Sequence, residues 1–160
     1  MEQLIDRFGV SEFAFADEQF LGHGTSSTNR AIAIADEILR RGLNCKWYME
    51  TRSSDVSLPL FRKLRESGLR AVFMGIESGF DPALKSLNKG IRASQHMKAI
   101  EVLKELEILP SIGFIMFRPE TTIEVSVWFW PSMRSVGSRG RWPLWAHWFV
   151  STKGNRGHIE

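Results

Sequence analysis

Apolar residues in this chain gather into four short runs, each closing on polar or charged residues, with stripes of helical spacing between them. The sharpest run is Ala71-Val-Phe-Met-Gly-Ile-Glu-Ser-Gly79. Its apolar part lacks clean alternation, as expected for a parallel strand covered by helices on one or both faces, and its glycines permit a sharp turn or a close approach to a ligand. The other strand candidates are Phe13 to Ala16, Lys46 to Glu50 and Ser111 to Phe117. Between them lie helical stripes: Leu4, Ile5 and Phe8 before Gly9; Ala31, Ile34, Ala35, Ile38 and Leu39 before Gly42; and Leu60, Phe61 and Leu64 between Pro59 and Gly68. A short helix from Asp81-Pro82 to Asn88-Lys-Gly90 follows, and then one capped by Ser94 that buries Ala99, Ile100, Leu103 and Leu106.

After the leading helix, the order β-α-β-α-β-α-α-β with short connections predicts an α/β fold with a parallel sheet and right-handed crossovers. Phe15, Met49, Phe73 and Ile115 are expected near the interior of a curved sheet. Parallel strands end on one side, so the polar ends Asp17/Glu18, Arg52/Asp55, Glu77/Ser78 and Arg118/Glu120 should share the carboxyl edge, where parallel α/β folds place their ligands. Plainer readings stand beside this one. Glu77 could cap the helix that follows it, and Lys89 could be a solvated cation favoured at a helix end.

Composition changes the picture at the C-terminal end. The net charge of +3 conceals a split, because residues 1–124 hold 16 Lys and Arg against 17 Asp and Glu, and residues 125–160 hold five against Glu160 alone. Trp128, Trp130, Trp142, Trp145 and Trp148, five of the six tryptophans, also fall after residue 124, so a boundary is expected there. The basic Trp-rich tail keeps no steady period across Pro131 and Pro143, which favours an irregular or frame-shifted extension over a membrane or nucleic-acid surface. Cys45 is the single cysteine, which excludes an internal disulfide and a cysteine-rich metal site, and its simplest role is that of a small buried hydrophobe. The sequence has no apolar leader segment and no apolar run of membrane-spanning length, so a cytoplasmic protein is expected.

Five segments, taken in order, resemble the S-adenosylmethionine radical (radical SAM) enzymes, in particular the class often associated with a cobalamin-binding domain: Phe15-Ala-Asp-Glu-Gln-Phe20; Trp47 with Glu50-Thr-Arg52; Gly75-Ile-Glu-Ser-Gly79; Leu87-Asn-Lys-Gly90; and Gly113-Phe-Ile-Met-Phe-Arg-Pro-Glu-Thr-Thr122. The resemblance covers about residues 10–124 and implies strands two to five of a partial (β/α) barrel. It implies that S-adenosylmethionine is held by a [4Fe–4S] cluster on closely spaced cysteines and by residues at strand ends, with cobalamin possible in the whole protein. By position, Asp17 and Glu18 match the contact to the cofactor's amino group, Arg52, Glu77 and Ser78 match polar contacts, Lys89 matches the contact to its carboxylate, and Ile115 packs on adenine. The cluster cysteines have no counterpart, so the resemblance implies a fragment that is inactive alone, or one completed by a separate chain. Two rivals remain: a module that binds S-adenosylmethionine or a nucleoside without chemistry through Glu77, Lys89 and Ile115, and an α/β enzyme using carboxylates such as Glu18 and Glu77 as acid and base. None of His23, His96, His147 and His158 falls at a predicted strand end, which weighs against the last.

Overall fold

The computed structural model describes residues 1–22 and 24–115. The polar end Arg118/Glu120, the tail from residue 125 and three of the four histidines (His23, His147 and His158) lie outside the described residues. The elements are α1 (Glu2–Phe8), β1 (Glu12–Ala14), α2 (Thr25–Arg40), β2 (Lys46–Glu50), a single 3-10 turn (Ser53–Asp55), α3 (Leu58–Glu66), β3 (Leu69–Glu77), α4 (Asp81–Ser86), α5 (Ala93–Glu105) and β4 (Leu109–Phe114). The strands form one sheet in the order β1-β2-β3-β4, every pair parallel. Strand order therefore equals chain order, as short crossovers that always step to the adjacent position require.

Side-chain alternation divides the sheet into two faces. Trp47 and Met49 of β2 and Val72, Met74 and Ile76 of β3 are buried in one apolar cluster with Ala31, Ala35 and Ile38 of α2, Phe61 and Leu64 of α3, and Ala99, Ile100 and Leu103 of α5. On the opposite face Tyr48, Phe73 and Ser111 are only half-buried. Period-two alternation is thus present in β3, hidden in the sequence because Ala71 and Phe73 on the second face are also apolar. It separates two residues expected together: Met49 faces the helices, and Phe73 faces away from them.

Trp47 is the largest fully buried side chain, and its indole N–H donates to the Ser67 carbonyl at 3.2 Å. The turn from α3 into β3 passes so close to the Cys45 carbonyl that a side chain on Gly68, whose φ is +110°, would collide with it. Several boundaries differ from expectation. β1 starts one residue earlier and ends two residues earlier, although Phe15 N–H still donates to the Tyr48 carbonyl at 3.0 Å. β4 starts at Leu109 and includes Pro110, tolerable because β4 is an outer strand of the described sheet. Helix α5 starts one residue before Ser94. Arg92 is its N-cap: the Gln95 side chain accepts from Arg92 N–H at 2.9 Å, and Asp81 Oδ1 accepts from Ala93 N–H at 2.8 Å. Among the described residues no helix is long and apolar enough to cross a membrane.

Candidate functional site

The turn after β1 is set by Phe20, which is fully buried, stacks obliquely on Phe15 with centroids 4.6 Å apart, and donates its N–H to the Glu50 carbonyl at 2.8 Å. Pinning Phe20 leaves Glu18 and Gln19 over the ends of β1 and β2. Asp17 goes elsewhere. Its carboxylate pairs with Arg30 of α2 at 3.2 Å, and the same guanidinium donates to the Phe20 carbonyl at 2.7 Å and lies over the Phe20 ring. Beyond β2, Thr51 is buried, with its N–H bonded to the Phe73 carbonyl at 3.0 Å, and Arg52 follows in extended backbone. Asp55 Oδ2 accepts from Gln19 Nε2 at 3.4 Å and, at 3.5 Å, from the Thr51 hydroxyl, tying the ends of β1 and β2 together.

Strand β3 ends irregularly. Its pairing with β4 slips between Gly75 and Glu77, and Glu77 takes a left-handed backbone with φ of +64°. Its carboxylate folds back over Gly75, where a Cβ would lie 2.8 Å from Glu77 Oε1. Gly75 pairs with Gly113 of β4, and a Cβ on Gly113 would sit 2.9 Å from the Phe73 ring. Side by side, the two glycines make a stretch of sheet surface that side chains cannot fill. Lys89 reaches this place because Asn88 and Gly90, both with positive φ, fold the chain back after α4. Its ammonium donates to Glu77 Oε1 at 3.0 Å, in a pair that stays partly exposed at both ends.

These side chains surround a cleft of about 270 Å³ lined by Glu18, Gln19, Glu50, Thr51, Arg52, Phe73, Gly75 and Lys89. Of the residues expected here, Glu18, Arg52 and Lys89 line it, and Glu77 joins it through Lys89. Asp17 is turned to Arg30. Ser78 is buried and uses its hydroxyl to accept from Phe80 N–H at 3.2 Å, shaping the turn into α4. Ile115 donates its N–H to the Glu77 carbonyl at 2.9 Å and is outside the cleft lining. A second depression of about 360 Å³, at the start of α2, is lined mainly by Gly22, Gly24, Thr25, Thr28 and Asn29, with Asp55 as the charged group among its described residues.

Five cleft residues, Gln19, Glu50, Thr51, Phe73 and Gly75, were not among the ligand contacts expected from sequence. Glu50 was visible as the polar residue ending the Lys46–Glu50 run. His96 was also missed. It is buried at 3% exposure behind the end of β2, with Nδ1 2.6 Å from the Ser53 hydroxyl. Burial, and next the Lys89 charge, hold its pKa below the ordinary value of 6.5. Its spacing from Ala99, Ile100 and Leu103 put it on the inward stripe of α5, and that was the available signal.

Cys45 precedes β2, at the amino edge opposite the cleft. It is buried, and burial pushes its thiol pKa up. Among the described residues no group of three or more His, Cys, Asp and Glu is placed to hold a metal ion. A lone, desolvated thiol at the wrong edge does not fit an iron–sulfur cluster, which needs several thiolates. The carboxyl-edge cleft brings the carboxylates of Glu18 and Glu50 together with the cations of Arg52 and Lys89, a donor and acceptor set suited to a zwitterionic group.

A four-stranded parallel sheet, layered with helices and opening a charged cleft at its carboxyl edge, defines the chain as a parallel α/β domain. The profile of the Radical SAM superfamily matches residues 1–125, and the chain belongs to that family. It is 29% identical over 117 residues to an uncharacterized methyltransferase, PH0819, of Pyrococcus horikoshii, a match covering 73% of this chain and 25% of the relative. It is 28% identical over 155 residues to the anaerobic magnesium-protoporphyrin IX monomethyl ester cyclase of Cereibacter sphaeroides, covering 90% and 25%. The chain thus spans about a quarter of these relatives' length. Its fold matches the cobalamin-dependent S-adenosylmethionine radical enzyme OxsB with a TM-score of 0.71 at 25% identity, over 78% of this chain and 19% of that one. The sheet is therefore the parallel α/β architecture of the radical SAM partial barrel.

Proposed function

We propose that the chain is a fragment of a radical SAM enzyme core that holds the aminoacyl end of S-adenosylmethionine in the carboxyl-edge cleft. The observation that carries this reading is the Lys89–Glu77 pair, set at 3.0 Å across the glycine floor with Glu18 and Glu50 nearby. A zwitterion can exchange with such a pair: its carboxylate takes Lys89, and its ammonium takes a carboxylate among Glu18, Glu50 and Glu77. Arg52 adds a second cation, and Phe73 an apolar surface. When bound, S-adenosylmethionine brings an activated sulfonium; the chain's residues bind and orient it.

Electron transfer to the cofactor lies outside this reading of the 160 residues, because Cys45 is the sole thiol and sits at the far edge of the sheet. The cluster, and cobalamin if the whole protein uses it, belong in this reading to further protein, on the same or a separate chain. That division favours binding without chemistry by these residues alone. The acid–base alternative loses ground because Glu77 is engaged by Lys89 rather than set beside Glu18.

Calorimetric titration of S-adenosylmethionine into the wild-type chain and the Glu77→Ala and Lys89→Ala variants tests the site. Weaker binding in both variants is expected. Superimposable curves for all three proteins would remove the assignment.

A further inference from the structure

At the cleft Glu50 ends β2, Glu18 sits in the turn pinned by Phe20, and Lys89 is brought in by the fold-back after α4. The chain past Glu50 makes one further bond to β3, from Thr51 N–H to the Phe73 carbonyl at 3.0 Å, and then enters the Ser53–Asp55 turn with Arg52 between. What holds that turn is polar. Asp55 ties it forward to Gln19 and Thr51, and Ser53, buried at 6% exposure, ties it back to His96 on α5, 43 residues along the chain.

His96 is an unusual choice for a buried support. Its Nε2 has no hydrogen-bond partner among the described residues, so the ring carries a desolvated nitrogen that an apolar side chain of similar size would avoid. What the imidazole provides and an apolar residue does not is the 2.6 Å bond to Ser53. Three charged groups act on the ring from neighbouring segments: Lys89 disfavours its protonation, and Asp81 and Glu77 favour it. Arg52 and Asp55 belong to the segment it anchors, and Arg92 lies one turn earlier on its own helix.

We propose that His96 is a positioning residue for the cleft: through its bond to Ser53, the neutral imidazole sets the 51–55 segment that presents Thr51 and Arg52 to a bound ligand. The role rests on the cleft being the ligand site, and it deepens that reading by naming what orders the side of the site after β2. The ring need not touch the ligand. A protonated His96 would put a second cation beside Lys89 in a desolvated place, so the positioned form of the turn belongs to the neutral ring.

The test uses the full 160-residue chain and three variants: His96→Leu, which keeps the bulk and removes the bond; His96→Gln, whose amide can still reach Ser53; and Ser53→Ala, which deletes only a hydroxyl. Three quantities are read: S-adenosylmethionine affinity between pH 5 and 8, amide hydrogen exchange at residues 51–55, and the thermal midpoint. His96→Leu and Ser53→Ala should bind about five- to tenfold more weakly, as loss of one hydrogen bond's ordering implies, with faster exchange confined to 51–55. His96→Gln should restore most of both. Wild-type affinity should fall with pH below the ordinary histidine range, and that fall should be absent from His96→Gln. A residue that merely fills space would lower the thermal midpoint and loosen exchange throughout, without selective rescue by glutamine, and that result overturns the proposal. So does unchanged exchange at 51–55 in Ser53→Ala, the variant that decides the matter if His96→Leu does not fold. Failure of the wild type to bind would remove the site assignment, and exchange at 51–55 in the variants would still decide whether His96 holds the turn.

Discussion

The two edges of the sheet are built from the same residue types and treat them in opposite ways. At the amino edge the charges are used up locally. Glu12 of β1 accepts from the Tyr48 hydroxyl at 2.9 Å and from the Lys46 ammonium at 3.2 Å, which holds its carboxyl below the ordinary range. Trp47, Ser67 and Gly68 close the same end with a buried indole bond and a turn that admits no side chain. At the carboxyl edge, Glu18 and Glu50 make no ion pair among the described residues, and Glu77 and Asn88 hold left-handed backbones that ordinary residues avoid. One end resolves its polar groups and supports the fold. The other keeps Glu18 and Glu50 at a cleft, the division expected when stability and ligand binding occupy opposite ends of parallel strands, while left-handed non-glycine backbone occurs at both ends, Glu107 before β4 included.

The comparison breaks hardest at the amino edge. Trp47→Ala removes the largest fully buried side chain and should cost about 3–5 kcal/mol, a large share of the roughly 5–15 kcal/mol typical of a domain, so denaturant titration should show a strongly lowered midpoint. At the carboxyl edge the opposite signature is expected. Lys89→Met should weaken S-adenosylmethionine binding by about ten- to a hundredfold, the worth of a lost charged hydrogen bond, with stability changed by less than about 1 kcal/mol because the pair is partly exposed. A large loss of stability instead would make Lys89 a structural cation.

A finer distinction comes from pH. His96 has its pKa lowered on folding, so the unfolded chain binds more protons wherever pH lies between the folded pKa and 6.5. Stability from this group is complete above 6.5 and falls as pH drops below it. Urea midpoints at pH 5 and pH 7 should therefore differ more in the wild type than in His96→Gln; equal differences would place the proton uptake elsewhere. The smallest effect is expected from Tyr48→Phe, within about 1 kcal/mol, with ligand affinity unchanged and the Glu12 titration midpoint raised as its hydroxyl partner is lost.

Strand number, type and order could be read from the sequence because each apolar run is short and each intervening stripe has a helical period. The shared carboxyl edge followed from parallelism, whereas Lys89, which ends no strand, was assigned to that edge by the family resemblance. Details set by side-chain direction could not be read so directly. Asp17 and Glu18 are adjacent and chemically alike, yet Arg30, thirteen residues beyond Asp17, takes one and leaves the other at the cleft. Ser78 carried the look of a ligand contact, and its hydroxyl is consumed by the backbone two residues on. Phe73 and Met49 look equally apolar, but the pleat sends them to opposite faces. The cap of α5 depends on Asp81, a residue of another helix, which no local pattern at Ser94 reveals.

Chain order and strand order coincide in this sheet. Each of β2, β3 and β4 therefore finds one neighbour already made when it is synthesised, and no later strand must thread between earlier ones. Assembly can proceed by accretion on the β4 side, each strand docking onto the last as the ribosome releases it, with strand-to-strand contacts spanning one crossover and the longer-range helix contacts, such as His96 with Ser53, closing afterwards.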